Sequence, residues 1–249
     1  REAGRRANES RRRLRLQRAF YLGEHEVTNA AYRRFRPAHD SGMLDGVSLS
    51  SDRQPVVNVS WDDAARYCNW LSKQQGLPEA YREVDGQIQR VSPANTGYRL
   101  PTEAEWAYVA RALGRAKPAR YPWSGSFPPG QASGNFADRT IADTLADTVP
   151  GYDDGYRGTA PAGSFAAFPP GFHDLGGNVA EWTDDFYTVY PGEEARLVVD
   201  PHGPATGEHY VVRGSSWRHG NITELRLSYR DYSRKPRYDL GFRIARYAY

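Results

Sequence analysis

Cysteine and methionine are almost absent from this chain, since each occurs once in 249 residues. A single cysteine, Cys68, excludes an internal disulfide and a zinc site built on thiolates. It lies on the apolar stripe of a predicted helix, which indicates a small buried residue rather than a reactive thiol. Long apolar runs are also missing, because no stretch approaches the roughly 18 residues that a membrane-spanning helix requires. The sequence therefore predicts a soluble globular protein.

Aromatic and loop-forming residues are abundant, with 17 Tyr, 6 Trp, 24 Gly and 17 Pro. This composition indicates long loops over a compact scaffold. The net charge of +3 is uneven, because residues 1–18 hold eight Arg and two Glu. No aromatic residues alternate with these arginines, so we expect a solvated approach to the first strand rather than a nucleic-acid contact. We predict a basic N-terminal segment over 1–18, as the truncated start of a domain that occupies 19–249.

Capping signals predict three helices. Thr28 begins one that runs to about Phe35, and a capping box at Ser60 begins a second that ends at Gly76. A third follows the capping box of Thr102. Strands are predicted over Leu14–Leu22, Pro55–Val59, Tyr210–Trp217 and Leu240–Tyr247. Residues 114–170 and 188–209 are predicted to be long ordered loops, fixed by cations and ring packing. The simplest arrangement is one α+β domain.

The segment from Gly171 to Thr183 combines two carboxylates, paired glycines and an amide in one short turn. Calcium takes six to eight oxygen ligands, in which carboxylates are mixed with carbonyls. Asp174 and Glu181 can supply carboxylates at the two ends of the turn, and the glycines let inner carbonyls face the centre. Turns in which these side chains bond their own backbone are an equal alternative.

Eight motifs occur in the order found in the formylglycine-generating enzyme (sulfatase-modifying factor) family, and the chain resembles that family from about residue 19 to 246. The motifs are Glu26-Val-Thr-Asn29, Pro55-Val-Val-Asn-Val-Ser-Trp61, Tyr98-Arg-Leu-Pro-Thr-Glu-Ala-Glu-Trp106, Gly134-Asn-Phe-Ala-Asp138, Gly158-Thr-Ala-Pro161, Gly177-Asn-Val-Ala-Glu-Trp182, Arg213-Gly-Ser-Ser-Trp217 and Gly241-Phe-Arg243. The resemblance implies a single elaborated C-type-lectin-like domain, with little regular secondary structure and long ordered loops. The family's opening glycine-rich strand is missing, which is consistent with a truncated start.

The resemblance also implies one or two structural calcium ions. The first site would use the side chains of Asp174 and Glu181 with the carbonyls of Gly177 and Val179. The second would use the side chains of Asn135 and Asp154 with the carbonyls of Phe136 and Tyr156, although Asp153 or Asp138 could replace Asp154. Such ions would fasten loops rather than activate water, because calcium is a weak Lewis acid.

The reaction of the family is not expected in this chain. Formylglycine formation depends on two cysteines after the Gly-Gly-Ser-aromatic segment, and here His219 takes the first place. The second place falls among Ile222–Glu224, and no cysteine follows Cys68. A copper centre built on thiolates is therefore excluded, and with it activation of sulfatases. The His-x-x-x-His-x-Glu pattern of the iron-dependent sulfoxide synthases is missing too.

Two hypotheses remain. The first is a non-catalytic, calcium-stabilised module of a larger bacterial protein that binds an unidentified small molecule or protein. Its ligand-binding candidates are Trp217, Arg218, His219, Arg226, Tyr229 and Arg230. The second is an oxidoreductase of the same family that works without thiols, with nonheme iron as one option. Its candidates are His219, Glu224, Arg218 and Tyr229.

An iron site of two histidines and one carboxylate would also require His173, His202 or His209 close to His219. Residues 213–243, here called the C-terminal strip, are rich in arginine. These arginines have an alternative explanation, as scaffold charges paired with Asp231, Asp239 and Glu224. We expect no nucleic-acid partner and no membrane span. Weak calcium sites would suit the millimolar calcium found outside the cytoplasm.

Overall fold

The computed structural model describes residues 2–131, 133–191 and 194–249. Arg1, Ala132, Gly192 and Glu193 lie outside the described residues, as do the parts of the predicted basic segment and loops that fall on them. The helices are α1 (Asn29–Arg33), α2 (Trp61–Gln74) and α3 (Glu103–Arg111). The strands are β1 (Arg12–Arg15), β2 (Phe20–Leu22), β3 (Met43–Leu44), β4 (Val47–Ser48), β5 (Tyr81–Val84), β6 (Gln87–Arg90), β7 (Ala180–Phe186), β8 (Glu194–Val199), β9 (Tyr210–Arg213), β10 (Arg230–Ser233), β11 (Leu240–Gly241) and β12 (Ala245–Tyr247).

A mixed four-stranded sheet in the order β10-β9-β7-β11 lies at the centre. Strand β9 runs antiparallel to both β10 and β7, whereas β11 runs parallel to β7. The other strands form two-stranded pairs: β1 with β8, β2 with β12, β3 with β4, and β5 with β6. This confirms an α+β domain with little regular secondary structure.

The three helix starts predicted from capping residues are confirmed. The Thr28 side chain accepts a hydrogen bond from the backbone N–H of Ala31. Ser60 and Thr102 each form a complete capping box, with Asp63 and Glu105 as the acidic partners. Each box satisfies backbone donors that the first helical turn leaves free, which fixes where the helix begins.

The predicted strands needed correction. Pro55–Val59 is not a strand, because its only ladder contact among the described residues is an isolated bridge between Pro55 and Thr28. The predicted strands Leu14–Leu22 and Leu240–Tyr247 each split into two short ones, and the strand at Tyr210 ends at Arg213 rather than Trp217. Short pairs joined by turns bury few residues on one face, so alternation of apolar residues alone does not mark their ends.

Strands β3 to β8 and β10 were not predicted. Six of the seven residues of β7 are buried, and three of these are the acids Glu181, Asp184 and Asp185. A central strand normally reads as an apolar run, so this acidic content concealed it. Strand β8 lies within the predicted loop 188–209. Residues 114–170 do form a loop, in which the only regular element described is one 3₁₀ turn at Arg139–Ile141.

Tryptophans organise the main core between α2 and the central sheet. The Trp61 ring stacks on Tyr210 with centroids 4.0 Å apart, and its Nε1–H donates to the Thr183 carbonyl at 2.8 Å. The Trp182 Nε1–H donates to the Val59 carbonyl at 3.0 Å. Such contacts combine a large apolar surface with a satisfied polar atom. Cys68 lies fully buried in the same core, as predicted.

Two N-terminal arginines, Arg12 and Arg18, pack against the domain, whereas the other five described between residues 2 and 18 are exposed. Strand β1 pairs in parallel with β8, and the Arg12 guanidinium lies 3.7 Å from the centroid of the Tyr190 ring. The Arg18 guanidinium lies at the same distance over Tyr247. These cation–π contacts engage arginines that we expected to be solvated. Among the described helices, none has the length and apolar character needed to cross a bilayer.

A buried ion pair joins the segment before α3 to the helix. The Arg99 guanidinium donates to both carboxylate oxygens of Glu105, at 2.7 and 2.6 Å, and both side chains are almost fully buried. Glu105 also accepts the Thr102 backbone N–H at 2.8 Å. These charge-assisted bonds fix the segment before α3 to the start of the helix.

We predict that Arg99→Ala lowers the free energy of unfolding by about 3–5 kcal/mol, because it leaves the Glu105 carboxylate buried without its cation. The measurement is urea unfolding followed by fluorescence. Arg66→Ala is the matched control, since Arg66 forms an exposed pair with Glu83 and should cost less than about 1 kcal/mol. Equal losses in the two variants would contradict the prediction.

Candidate functional site

The first predicted calcium loop leads into β7, and its two acids are buried. Asp174 has a positive φ of 56° and its carboxylate accepts the Gly163 N–H at 2.7 Å. Glu181 lies on β7 with no exposed surface. Burial raises the pKa of Asp174, because water no longer stabilises its charged form. The segment therefore holds two carboxylates, one in the turn and one on β7. Both are buried, whereas the side chains of a surface loop would be exposed.

Arg243 neutralises one of these carboxylates. Its Nε and Nη2 donate to the two oxygens of Glu181, both at 2.7 Å, and the Trp106 Nε1–H adds a third bond at 2.9 Å. The remaining donors of Arg243 reach the carbonyls of Gly23 and Glu24, and Nη2 also reaches the carbonyl of His173. The carboxylate of Glu181 is therefore already well satisfied by protein donors.

Glu26 is the acid that sequence reasoning missed. It is fully buried, and no N–H or O–H group of the described residues donates to its carboxylate oxygens, but it lies within hydrogen-bond reach of the Asp174 carboxyl. Burial raises its pKa well above the ordinary value, and the charges of Asp174 and Glu181 raise it further while Arg243 opposes them. Glu26 begins the motif Glu26-Val-Thr-Asn29, which carried part of the family resemblance. That motif was the sequence signal that could have indicated Glu26 as a site residue.

The second predicted calcium loop is partly satisfied by its own backbone. The Asp154 carboxylate accepts the N–H groups of Phe136 and Tyr156 at 2.8 and 3.0 Å. Burial raises the pKa of Asp154 to about 7. Asn135 is fully buried, and its Oδ1 has no hydrogen-bond partner among the described residues. Of the carbonyls predicted as ligands, that of Tyr156 accepts the Thr140 hydroxyl at 3.0 Å.

Asp138 and Asp153, the two alternatives to Asp154, already bind other groups of the protein. Asp138 accepts the Asp154 N–H at 2.6 Å through one oxygen and the Thr140 N–H through the other. Asp153 is paired with Arg139 and accepts the Gly155 N–H at 3.1 Å. These turns show the backbone-satisfying role that the sequence left open beside the metal role.

The two predicted loops pack directly against each other. The Asn178 N–H donates to the Asn135 carbonyl at 2.8 Å, and the Asn135 amide donates to the Asn178 Oδ1 at 3.2 Å. Gly177 has a φ of 100°, and a Cβ there would lie 2.9 Å from the Asn135 carbonyl oxygen. Only glycine permits both this conformation and this close approach. The two loops therefore form one continuous unit.

His219, which takes the place of the first family cysteine, lies in an inward-facing network. Its Nδ1 accepts the Ser216 N–H at 3.0 Å, so the ring proton is assigned to Nε2. The Ser216 hydroxyl donates to Asp239 at 2.8 Å, and Arg237 donates to the other Asp239 oxygen at 3.0 Å. Burial lowers the pKa of His219, although Asp239 opposes this effect.

This network does not form a nucleophilic triad. In such a triad the histidine takes the proton of the serine hydroxyl and the carboxylate holds the other ring nitrogen. Here the hydroxyl donates to the carboxylate, and the histidine nitrogen nearest the serine accepts a backbone N–H. The arrangement fixes the loop and keeps His219 neutral, but it does not activate Ser216.

The predicted ligand-binding residues do not form one open surface. Trp217 and Tyr229 are buried, and the Arg230 guanidinium is bound to both oxygens of Glu103 at 2.6 and 2.9 Å. Arg226 is buried beneath residues of the N-terminal segment. Only Arg218 is exposed, with His219 half-buried beside it. This placement favours the scaffold role that the sequence left open for several of these arginines.

The histidines proposed for an iron site stay apart. His173 contacts the Phe165 carbonyl, His202 contacts the Tyr247 hydroxyl, and His209 packs against the Tyr232 ring. His219 instead packs against Tyr229. Within the described ranges, no three or more His, Cys, Asp or Glu side chains are grouped so that they could hold a metal ion.

The model of the sulfatase-modifying factor enzyme 1-like domain matches residues 2–248. The chain is 34% identical over 168 residues to the formylglycine-generating enzyme of Thermomonospora curvata, covering 66% of this chain and 44% of that protein. It is 33% identical over 184 residues to the inactive C-alpha-formylglycine-generating enzyme 2 of Mus musculus, covering 71% of this chain and 40% of that protein. The matches thus span less than half of these relatives. PvdO from Pseudomonas aeruginosa shares the fold, with a TM-score of 0.68, 24% identity and coverage of 99% of this chain and 87% of that one.

We predict that stability falls as the pH drops from 7.5 to 5.5, and that His219→Gln reduces this fall. The pKa of His219 is lowered on folding, so the unfolded chain takes up a proton first and acid favours unfolding. Urea unfolding at several pH values measures the slope. His25→Gln, which changes an exposed histidine, should keep the wild-type slope. An unchanged slope in His219→Gln would show that the imidazole is not held neutral.

Proposed function

Because the chain belongs to the sulfatase-modifying factor enzyme 1-like family, we propose that it is a non-catalytic, calcium-stabilised module that binds a small molecule or a protein. We further propose that it works as one domain of a larger bacterial protein. The observation that carries the proposal is the position of the reactive cysteine pair, where this chain has His219 and residues 222–224. A relative that is named as inactive supports the absence of catalysis.

The hydrogen bonding at His219 supports a role without catalysis. Its Nδ1 accepts the Ser216 N–H, and the Ser216 hydroxyl donates to Asp239. A general base requires a nitrogen that can reach the proton of a substrate. A metal ligand requires further donors close by, and the described residues gather no such group around this histidine.

Orphaned oxygen atoms support calcium. Unpaired buried polar atoms are rare and need an explanation, of which an ion is one. The Oδ1 of Asn135, at the second predicted loop, is such an atom. At the first loop Glu26 receives no N–H or O–H donor and lies against the Asp174 carboxyl, so the two acids share either a proton or a cation. Carboxylate and amide oxygens are ligands that suit calcium. Glu26 adds a carboxylate to the calcium ligands predicted from the sequence. The described acidic side chains do not by themselves gather around one point, so loop carbonyls would have to supply the remaining ligands.

Charge balance points the same way. Glu26, Asp174 and Glu181 carry three negative charges when ionised, and Arg243 supplies one positive charge to this group. Two negative charges then remain in a buried place, where uncompensated charge is very unfavourable. Either the carboxyls hold protons or a divalent cation compensates them. A bound calcium ion would keep the loops on β7 in one arrangement.

We predict that calcium raises the melting temperature and that Glu26→Gln removes most of the rise. Calcium at 100 times its Kd should add about 2.7 kcal/mol, or roughly 5–10 °C for a domain of this size. In excess chelator at pH 8, Glu26→Gln should be at least as stable as wild type, because it removes an uncompensated buried acid. Melting curves in calcium, magnesium and chelator provide the measurement.

The control for this experiment is Glu24→Gln, which changes an exposed acid two residues away. Glu24→Gln should keep the full calcium-dependent rise. A Glu26→Gln protein that gains as much from calcium as wild type would remove Glu26 from the ligand set. A wild-type protein whose melting temperature is the same in calcium and in chelator would overturn the calcium proposal as a whole.

We predict that elemental analysis of the purified protein finds calcium without stoichiometric iron or copper. The alternative, an oxidoreductase that uses a non-thiol site, requires the opposite result. It also requires that His219→Ala abolishes turnover while leaving the fold intact. Stoichiometric iron that is lost in His219→Ala would replace the binding proposal with the oxidoreductase.

A further inference from the structure

Residues 2–9, here called the strap, lie across the loop 221–229 and are attached almost entirely by side chains. The backbone hydrogen bonds described for the strap are internal to it, from Arg5 to Glu2 and from Glu9 to Arg6. The strap begins before β1 and belongs to no strand or helix. A segment held in this way can separate from the domain without breaking a sheet.

Arg226 is the main anchor of the strap. Its guanidinium is fully buried and donates to both oxygens of Glu9, at 2.6 and 2.7 Å. It also donates to the Gly4 carbonyl at 2.7 Å. Two parallel bonds from a planar guanidinium to a carboxylate are among the strongest and most directional polar contacts in proteins.

Glu2 supplies a second carboxylate beside the first. One of its oxygens accepts from Arg111 at 2.9 Å. The other accepts from the Ser228 hydroxyl and lies 3.4 Å from Arg226. The domain therefore presents two arginines and one hydroxyl, and the strap presents two carboxylates that match them.

Further contacts align the strap. The Asn8 amide donates to the Tyr187 hydroxyl at 3.0 Å and to the Arg230 carbonyl at 2.9 Å. The Arg6 guanidinium lies 5.0 Å from the centroid of the Tyr229 ring, whose other neighbour is His219. The strap thus contacts both Tyr229 and Arg226 of the predicted ligand-binding residues.

The strap also closes a cavity of about 1250 Å³. Glu2, Asn8 and Glu9 line one side, and residues of α3 line another. Phe20 and Phe172 contribute apolar surface inside it. Twelve of the lining residues are charged, so the cavity is mixed rather than apolar.

The domain side of the contact is an anion-binding site in its own right. Outside the strap, the only partner described for the Arg226 guanidinium is Ser228, at 2.9 Å. Its Nε has no partner among the described residues. Once the strap leaves, this cation would lose both of its carboxylate partners and face solvent beside Arg111 and Ser228, where another carboxylate could take their place.

We propose that Arg226, Arg111 and Ser228 form a binding site for acidic peptides, and that residues 2–9 occupy it as a displaceable ligand supplied by the chain itself. The inference rests on the proposed binding function and names the chemistry of its partner. The partner carries two carboxylates that replace those of Glu2 and Glu9. A tethered ligand competes at an effective concentration in the millimolar range, so the closed strap weakens binding of any free peptide.

The test uses the complete chain and a fluorescein-labelled peptide with the sequence of residues 2–10, followed by fluorescence anisotropy. In the double variant Glu2→Gln/Glu9→Gln the internal ligand loses its charges, so we expect the labelled peptide to bind at least tenfold more tightly than to wild type. Adding Arg226→Gln to this variant should abolish binding. The same peptide with glutamine at both acidic positions should bind to neither protein.

Two results of this titration would contradict the proposal. A folded double variant that binds the acidic peptide no better than wild type would overturn the proposal. Equal binding of the acidic and the glutamine peptides would also overturn it, because the site would not recognise carboxylates. The calcium and metal measurements do not depend on the strap. Iron-dependent turnover would therefore disprove the proposed function alone, and a failed peptide titration would disprove this inference alone.

Hydrogen exchange on the wild-type protein provides a second test in case the double variant does not fold. We expect the amides of the strap to exchange much faster than those of β7, and to exchange faster still in 0.5 M salt. The salt effect follows because screening weakens charge pairs that become exposed during opening. If the strap exchanged only together with β7, it would be an integral part of the fold and could not be displaced.

Discussion

The guanidinium of Arg243 connects more of this molecule than any other group described. It binds both oxygens of Glu181 on β7, and through that carboxylate it is linked to Trp106 of α3. Its other bonds reach the carbonyls of Gly23, which follows β2, and of His173, which precedes β7. A chain with so few long strands cannot rely on sheet ladders to fix its loops. One fully buried cation with fixed donor directions provides that order, because each carbonyl it binds must lie where a donor points.

The sequence was most informative where local chemistry determines structure. Thr28, Ser60 and Thr102 gave the starts of the helices, since a cap acts on backbone groups only two or three residues away. It failed at β7, where acids replace the expected apolar residues because partners distant in sequence satisfy or surround them. It also failed at Arg12 and Arg18, which were expected to be solvated but pack against tyrosines from distant parts of the chain. Pairings of this kind depend on the assembled fold, which no local pattern encodes.

The candidate site shows the same division. Two loops with calcium-like composition were recognised, and the structure shows that they touch each other through Asn135 and Asn178. Glu26 was missed because it lies about 150 residues away from Asp174 in sequence. The predicted ligand-binding strip is rich in arginine, but the structure gives its arginines two different roles. Arg230 holds the scaffold to Glu103, whereas Arg226 faces the strap. This division separates the part of the strip that maintains the fold from the part that is free to change partners.

Cys68 gives the protein an internal reporter. Its thiol is fully buried within the core beside α2, and burial raises its pKa, so the reactive thiolate is scarce in the folded state. No other thiol in the chain competes for a reagent. The rate at which a maleimide or an aromatic disulfide modifies the native protein therefore measures how often this core opens to solvent. This modification rate can be measured without a label or a substitution, and it can be compared between treatments of the protein.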